Sequence, residues 1–297
     1  MQTTQLLAYV DGLNGHTQMD SNLMNKHSRI KKLLEPTYCE SLKLQHENLS
    51  FTAGFCLSKL VLEDLKEKLS SFLHPKERSY FDTLQYPKRQ YSYLLGRYCA
   101  KQALFSFFKT ICPTEVLVEN GVLQQPIIYY PACDNLTHSN LQVSISHTET
   151  LGAALIFPEA HPMAIDVETL DNNKNDIILS QLTKNEQELT FALSDNYVNS
   201  ASQLSVEFPS IQMFWTIKEA LSKVIKCGLT VPFELLEVES TIQKGNYYIS
   251  QFKNFHQYQA LSFLLPENIC SLVYPKKTEP GINISAIQDL MGEFNLS

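Results

Sequence analysis

Apolar residues along this chain change period several times, and each change marks an element. From Leu49 to Cys56 apolar and polar positions alternate weakly, as on a strand. From Ser58 the spacing lengthens, and Leu60, Leu62, Leu65 and Leu69 predict an amphipathic helix. His74-Pro75 opens another helix with proline in the first turn and Tyr80, Phe81 and Leu84 turned inward. Lys88 to Phe108 reads as a long helix that is apolar on more than one face. Its main stripe is Tyr91, Leu94, Leu95, Tyr98 and Phe105, and Gly96 and Ala100, four apart, leave room for a close neighbour. Arg89, Arg97 and Lys101 are charges on it, fitted either to a solvated face or to an anion.

A turn at Glu119-Asn120-Gly121 and a loop through Gln124-Gln125-Pro126 follow. Leu141 to His147 alternates cleanly, with Val143 and Ile145 buried and Ser144 and Ser146 on the other face; Ala153 to Phe157 is a continuous apolar strand. After the next strand, Met163 to Glu168, helices are expected at Asp176 to Leu182 and at Lys184 to Leu193, the second with Thr183 as cap and Glu186 in the capping-box position. Asp195 to Ser210 reads as loop. Phe214 to Lys226 is a strong helix with Phe214, Ile217, Ala220, Leu221 and Val224 on its apolar stripe and Gly228 as its left-handed stop. Strands recur from Leu235 to Tyr274, and the tail carries a short helix capped by Ser285. Residues 1 to 48 are the least patterned, with a short helix at Ile30 to Leu34 ended by Pro36.

Composition narrows the class. With 297 residues, 44% hydrophobic and 19% charged, the chain is globular and long enough for one large or two small domains. A net charge of −7 excludes bulk electrostatic binding of nucleic acid, so a polyanion must meet a local basic cluster. Seven cysteines, none in a C-x-x-C arrangement, speak against a disulfide framework and a zinc site. Neither a signal sequence nor a membrane-spanning run is found, so a cytoplasmic protein without membrane contact is expected.

The chemistry centres on Met163 to Glu168. A period of two puts Ala164, Asp166 and Glu168 on one face and Met163, Ile165 and Val167 in the core. Neighbouring carboxylates stay ionised together only with a cation between them; otherwise one binds a proton. A hard divalent ion, most simply Mg²⁺ with Mn²⁺ as a substitute, suits such oxygen ligands. The plain alternative is a strand end with solvated acids. Glu219 and Lys223, four apart on one helix, are in isolation a stabilising pair worth about 0.2–0.5 kcal/mol, and His147 in isolation is a strand-end histidine.

Taken in order, Ser144-Ile145-Ser146-His147, the strand Ile165-Asp166-Val167-Glu168 and the helix Trp215-Thr216-Ile217-Lys218-Glu219-Ala220-Leu221-Ser222-Lys223 resemble the signature of the Sfp-type 4′-phosphopantetheinyl transferases. Leu94-Leu95-Gly96-Arg97 with Ala100-Lys101 is similar to that family's helix in the first half, and the resemblance runs from about Phe51 to Pro275. It implies an α+β pseudo-dimer of two similar subdomains, each a small antiparallel sheet on a long helix, with the site in the cleft between them. The corresponding divisions are an extension at 1–48, subdomains at 49–158 and 159–276, and a tail at 277–297.

The resemblance further implies transfer of phosphopantetheine from coenzyme A to a serine of an acyl, peptidyl or aryl carrier protein, releasing 3′,5′-ADP, in a monomeric enzyme of polyketide, nonribosomal peptide or related metabolism. Asp166, Glu168 and Glu219 would hold Mg²⁺, and Glu219 or a metal-bound water would take the serine proton. Lys223, with Lys218 as a second candidate, would bind the pyrophosphate. His147, beside Ser146, would meet the 3′-phosphate. The family's Gly-Lys-Pro turn is altered here, with Gln125 before Pro126, and Lys88, Arg89 and Arg97 are the replacements expected to supply positive charge. Lys76, Glu77 and Arg78 stand where relatives carry basic residues. Two rivals remain: a Mg²⁺-dependent nuclease, disfavoured by the acidic charge, and an idle relative that binds coenzyme A or a carrier without transfer.

Overall fold

The alternating stretch around Phe51 folds as strand β2 (Leu49–Ser58), and along its whole length it pairs with β1 (Thr37–His46). The computed structural model describes residues 36–131, 140–200 and 209–293; the helix expected at Ile30 to Leu34 lies outside them. The elements that follow are α1 (Leu62–Glu67), α2 (Leu69–Phe72), α3 (Pro75–Phe81), α4 (Pro87–Phe107), β3 (Leu117–Asn120), β4 (Pro126–Tyr129), β5 (Leu141–His147), β6 (Gly152–Pro158) and β7 (Ala164–Thr169). Then come α5 (Asn175–Leu179), α6 (Lys184–Ser200), α7 (Ser210–Val224), β8 (Val238–Lys244), β9 (Tyr247–Phe252), β10 (Tyr258–Leu264), β11 (Asn268–Pro275), β12 (Thr278–Pro280) and α8 (Ile284–Glu293). The architecture is α+β, with every strand pairing antiparallel.

One sheet has the order β12-β1-β2-β6-β5 and the other β7-β11-β10-β9-β8, while β3 and β4 form a separate hairpin. Phe55, Leu57, Leu155, Ile165, Phe263 and Leu272 belong to one buried cluster that joins the two sheets. The opposite face of the first sheet, with Cys56, Ala154 and Ile156, packs under α4; that of the second, with Ile269 and Val273, packs under α7. β6 is therefore covered on both faces, which is why its sequence is a continuous apolar run rather than an alternating one. α4 comes close: a Cβ at Gly152 would lie 2.5 Å from Leu95 Cγ, and one at Gly96 would lie 3.1 Å from Ile145 Cγ2. The small residue at 96 is thus explained by the approach of β5.

Two buried ion pairs tie each long helix to its surroundings in the same way. The Glu77 carboxylate accepts from the His74 and Val118 backbone amides and from Lys101 Nζ of α4 at 2.5 Å. The Glu186 carboxylate accepts from the Thr183 and Val238 amides and from Lys218 Nζ of α7 at 2.6 Å. In both cases the glutamate closes a capping box, so one carboxylate starts a helix, anchors a hairpin strand and neutralises a lysine.

Several expectations are corrected. Residues 37–46, read as unpatterned, form β1, and 278–280 in the tail pair with it. The chain is strand through Ser58, so the next helix starts at Leu62 and breaks at Lys68. Pro126, read as loop, opens β4. Phe105, placed on the inner stripe of α4, is 38% exposed. α6 continues through residues 195–200, where a loop was expected. Helix α8 begins at Ile284, and Asn283 Oδ1 rather than Ser285 caps it, accepting from the Ala286 amide. Gly228 is left-handed as expected, at φ 54°, but the stop of α7 comes two residues earlier at Lys226, φ 55°: its amide bonds to Lys223 O and that of Cys227 to Ser222 O, the paired bonds of a Schellman motif. Among the described residues no helix is long and apolar enough to cross a membrane.

Candidate active site

β5 edges one sheet and β7 the other, so backbone amides on that flank of β7 need partners from outside its own sheet. The polar face of β5 supplies them: Ser144 Oγ accepts from the Ile165 amide at 3.1 Å and Ser146 Oγ from the Val167 amide at 3.3 Å. The two serines on the other face of the alternation are the splice between the sheets.

Ser146 also donates to Asp166 Oδ1 at 2.7 Å. Lys223 arrives from α7 and its ammonium donates to the same Oδ1 at 2.7 Å, to Ile145 O at 3.3 Å and to Ile165 O at 3.2 Å. Asp166 is 4% exposed, and its other oxygen, Oδ2, is buried with no hydrogen-bond partner. Glu168, two residues on, accepts from Trp215 Nε1 at 3.3 Å, and Trp215 in turn stacks on Phe233.

The three acids influence one another. Burial first, and then the charges of Asp166 and Glu168, push the Glu219 carboxyl up to about 7, with Lys223 opposing. Burial and Asp166 raise Glu168 as well, against the Trp215 hydrogen bond and the Lys174 and Lys223 cations. An orphaned buried carboxylate oxygen beside two acids that resist ionisation is the donor chemistry that a hard divalent cation satisfies. The set is not preformed: among the described residues no three acidic, histidine or cysteine side chains stand close enough to hold a metal ion, and Lys223 already neutralises Asp166.

Beside this knot lies a cavity of about 710 Å³ whose wall includes Lys76, Arg89, Arg97, Ser146, His147 and Lys223. Arg97 lies 4.1 Å over the Tyr93 ring, and its Nε is buried without a partner. His147 is held below the ordinary imidazole range by desolvation, then by the Lys223 and Arg89 cations. Cations converging on a cavity with an unpaired guanidinium N–H suit an anionic ligand.

Asp166, Glu168, Glu219 and Lys223 thus gather around the β5–β7 splice, and Ser146, His147, Arg89 and Arg97 meet at the cavity. Lys218 and Lys88 do neither. Lys218 is fully buried and donates to Glu186, Gln181 O and Phe233 O, so its ammonium serves the fold. Lys88 is exposed and paired with Glu149 at 2.7 Å, and the cavity wall does not include it. The sequence reading missed Tyr93 and the role of Trp215. The Tyr93 to Arg97 spacing of one helical turn was the available signal; the stacking of Trp215 on Phe233 was not visible.

No protein-family model matches the sequence, and no curated protein does. Solved structures with a partial likeness include holo-acyl-carrier-protein synthases. One from Bacillus anthracis, in complex with CoA (3′,5′-ADP), is 17% identical and covers 40% of this chain and 96% of its own, with a TM-score of 0.30. One from Plasmodium yoelii is 14% identical, covering 41% and 95%, also at 0.30. A third, from Thermotoga maritima, is 20% identical, covering 46% and 72%, again at 0.30.

Proposed function

We propose that this protein is an Sfp-type phosphopantetheinyl transferase that moves 4′-phosphopantetheine from coenzyme A to a serine hydroxyl of an acyl, peptidyl or aryl carrier protein and releases 3′,5′-ADP. The observation that carries this reading is the junction at Asp166, where one carboxylate ties a trio of acids to the cation-lined cavity through Ser146 and Lys223. A phosphate-rich ligand in the cavity would present its pyrophosphate to those acids.

The two halves are proposed to be repeats of one unit. In support, the order β7-β11-β10-β9-β8 has the chain sequence of a first strand, a long helix and then four strands. The same succession occurs at β2, α4 and β3 to β6, and both halves use one glutamate–lysine capping device. The first half's hairpin β3–β4 takes the place of β8–β9.

Asp166, Glu168 and Glu219 are the residues that would hold Mg²⁺. A bound Mg²⁺ supplies charge neutralisation at the pyrophosphate. Arg97, Arg89 and His147 would bind the nucleotide phosphates, and Lys223, released from Asp166, would stabilise the negative charge left on 3′,5′-ADP. The serine oxygen attacks the β-phosphorus, the bond from that phosphorus to the bridging oxygen breaks, and the serine proton passes to Glu219.

The test is intact-mass analysis of a panel of apo-carrier proteins incubated with this protein, coenzyme A and Mg²⁺, with and without chelator. The expected result is a chelator-sensitive gain of one phosphopantetheine on a carrier serine. A gain that ignores chelator overturns the acid assignment, and coenzyme A binding with no gain on any carrier selects an idle coenzyme A binder.

A further inference from the structure

Cys39 and Cys56 face each other in register on β1 and β2, and the Cys39 thiol donates to Cys56 Sγ at a sulfur–sulfur distance of 3.0 Å. Opposed residues of an antiparallel pair have Cα atoms about 4.5–5.5 Å apart, inside the range a disulfide spans. The thiols are free. We infer that this pair is a reversible oxidation site, at which a peroxide closes a Cys39–Cys56 disulfide that staples β1 to β2.

The two sulfurs divide the work. Cys39 is exposed, on the part of β1 beyond the short β12 pairing, so a small oxidant reaches it. Cys56 is fully buried beneath α4 next to Cys99, and burial keeps its proton on. The Cys39 sulfur attacks a peroxide oxygen, the O–O bond breaks, and water leaves with sulfenic acid on Cys39. The Cys56 sulfur then attacks the Cys39 sulfur, the S–O bond breaks, and the departing hydroxide takes the Cys56 proton. Two thiols and one hydrogen peroxide give one disulfide and two waters. Closing from 3.0 Å to a bond of about 2.05 Å moves the sulfurs by about 1 Å, within reach of side-chain rotation. Among the described residues the other accessible thiols have no such neighbour: Cys112 bonds to Thr114, and Cys227 to backbone oxygens.

The experiment treats the folded full chain with hydrogen peroxide, blocks remaining thiols by alkylation, and reads intact mass and a peptide map without reductant. The expected product has lost two hydrogen atoms, carries a Cys39–Cys56 crosslink, melts at a higher temperature than the reduced chain, and reverts with dithiothreitol. Cys39→Ser, at an exposed position, abolishes the crosslink with the fold intact, and Cys112→Ser leaves it unchanged. Oxygen addition at Cys39 with no crosslink, an intermolecular Cys39 pair, or a crosslink that survives Cys39→Ser overturns the inference.

Discussion

Asp166→Asn is expected to lower phosphopantetheine transfer by roughly 10²–10³-fold or more, the range seen when a preorganised charge partner is lost from a transition state. The fold should persist. Lys223, the partner left behind, is 29% exposed in its side chain and can turn to water, so the variant leaves no sealed, unpaired charge. A second readout separates electrostatics from general damage. In the parent, Glu219 binds its proton more tightly when folded, at about 7, than when unfolded, at 4.5. The native state thus holds more protons across that window, and stability present below pH 4.5 is lost as pH rises through about 7. Asp166 is the first of the charges that raise Glu219, so Asp166→Asn shrinks this loss and moves it to lower pH. Melting temperatures taken from pH 4 to pH 8 on both proteins check it; an unchanged pH profile would mean that Asp166 and Glu219 do not interact.

The other large effect concerns stability. Glu77→Ala should cost about 3–5 kcal/mol, because it leaves the buried Lys101 ammonium with only the Phe72 carbonyl as acceptor and the Val118 and His74 amides unpaired. Burial already pushes Lys101 down, and Glu77 is the main group opposing that shift. For a domain of this size the cost corresponds to a melting temperature lower by roughly 6–20 °C. Glu77→Leu combined with Lys101→Met removes both charges and should recover part of it. Thermal denaturation of the single and double variants decides the matter: a single variant within 2 °C of the parent contradicts this account.

Local pattern was legible where a single face decides the period. Ala164 to Glu168 alternates because one side is core, and α7 shows its stripe because Phe214, Ile217 and Leu221 meet one sheet. β1 was not legible, since the row that points inward mixes Leu42 and Leu44 with Glu40 and His46, whose partners are the Tyr38 hydroxyl and Thr278. Lys218 was misread for a related reason. On the sequence it is one more cation beside Glu219, and only the fold brings Glu186, 32 residues away, against it. The acid trio and Lys223 were readable because motif spacing encodes them. Arg89, Arg97 and His147 were named as anion-binding candidates, but the outline of the cavity was not legible, because its wall draws Lys76, Arg97 and His147 from three separate elements.

The proposed function requires one cleft to hold coenzyme A and a divalent cation together. Calorimetric titration of coenzyme A into the protein, with Mg²⁺ and again with chelator, tests it most directly. The expected result is binding that Mg²⁺ tightens by a factor within roughly 5–150, with coenzyme A tightening Mg²⁺ by the same factor, and no such coupling in Asp166→Asn. Coenzyme A affinity that is the same with Mg²⁺ and with chelator, or no binding at all, would contradict it.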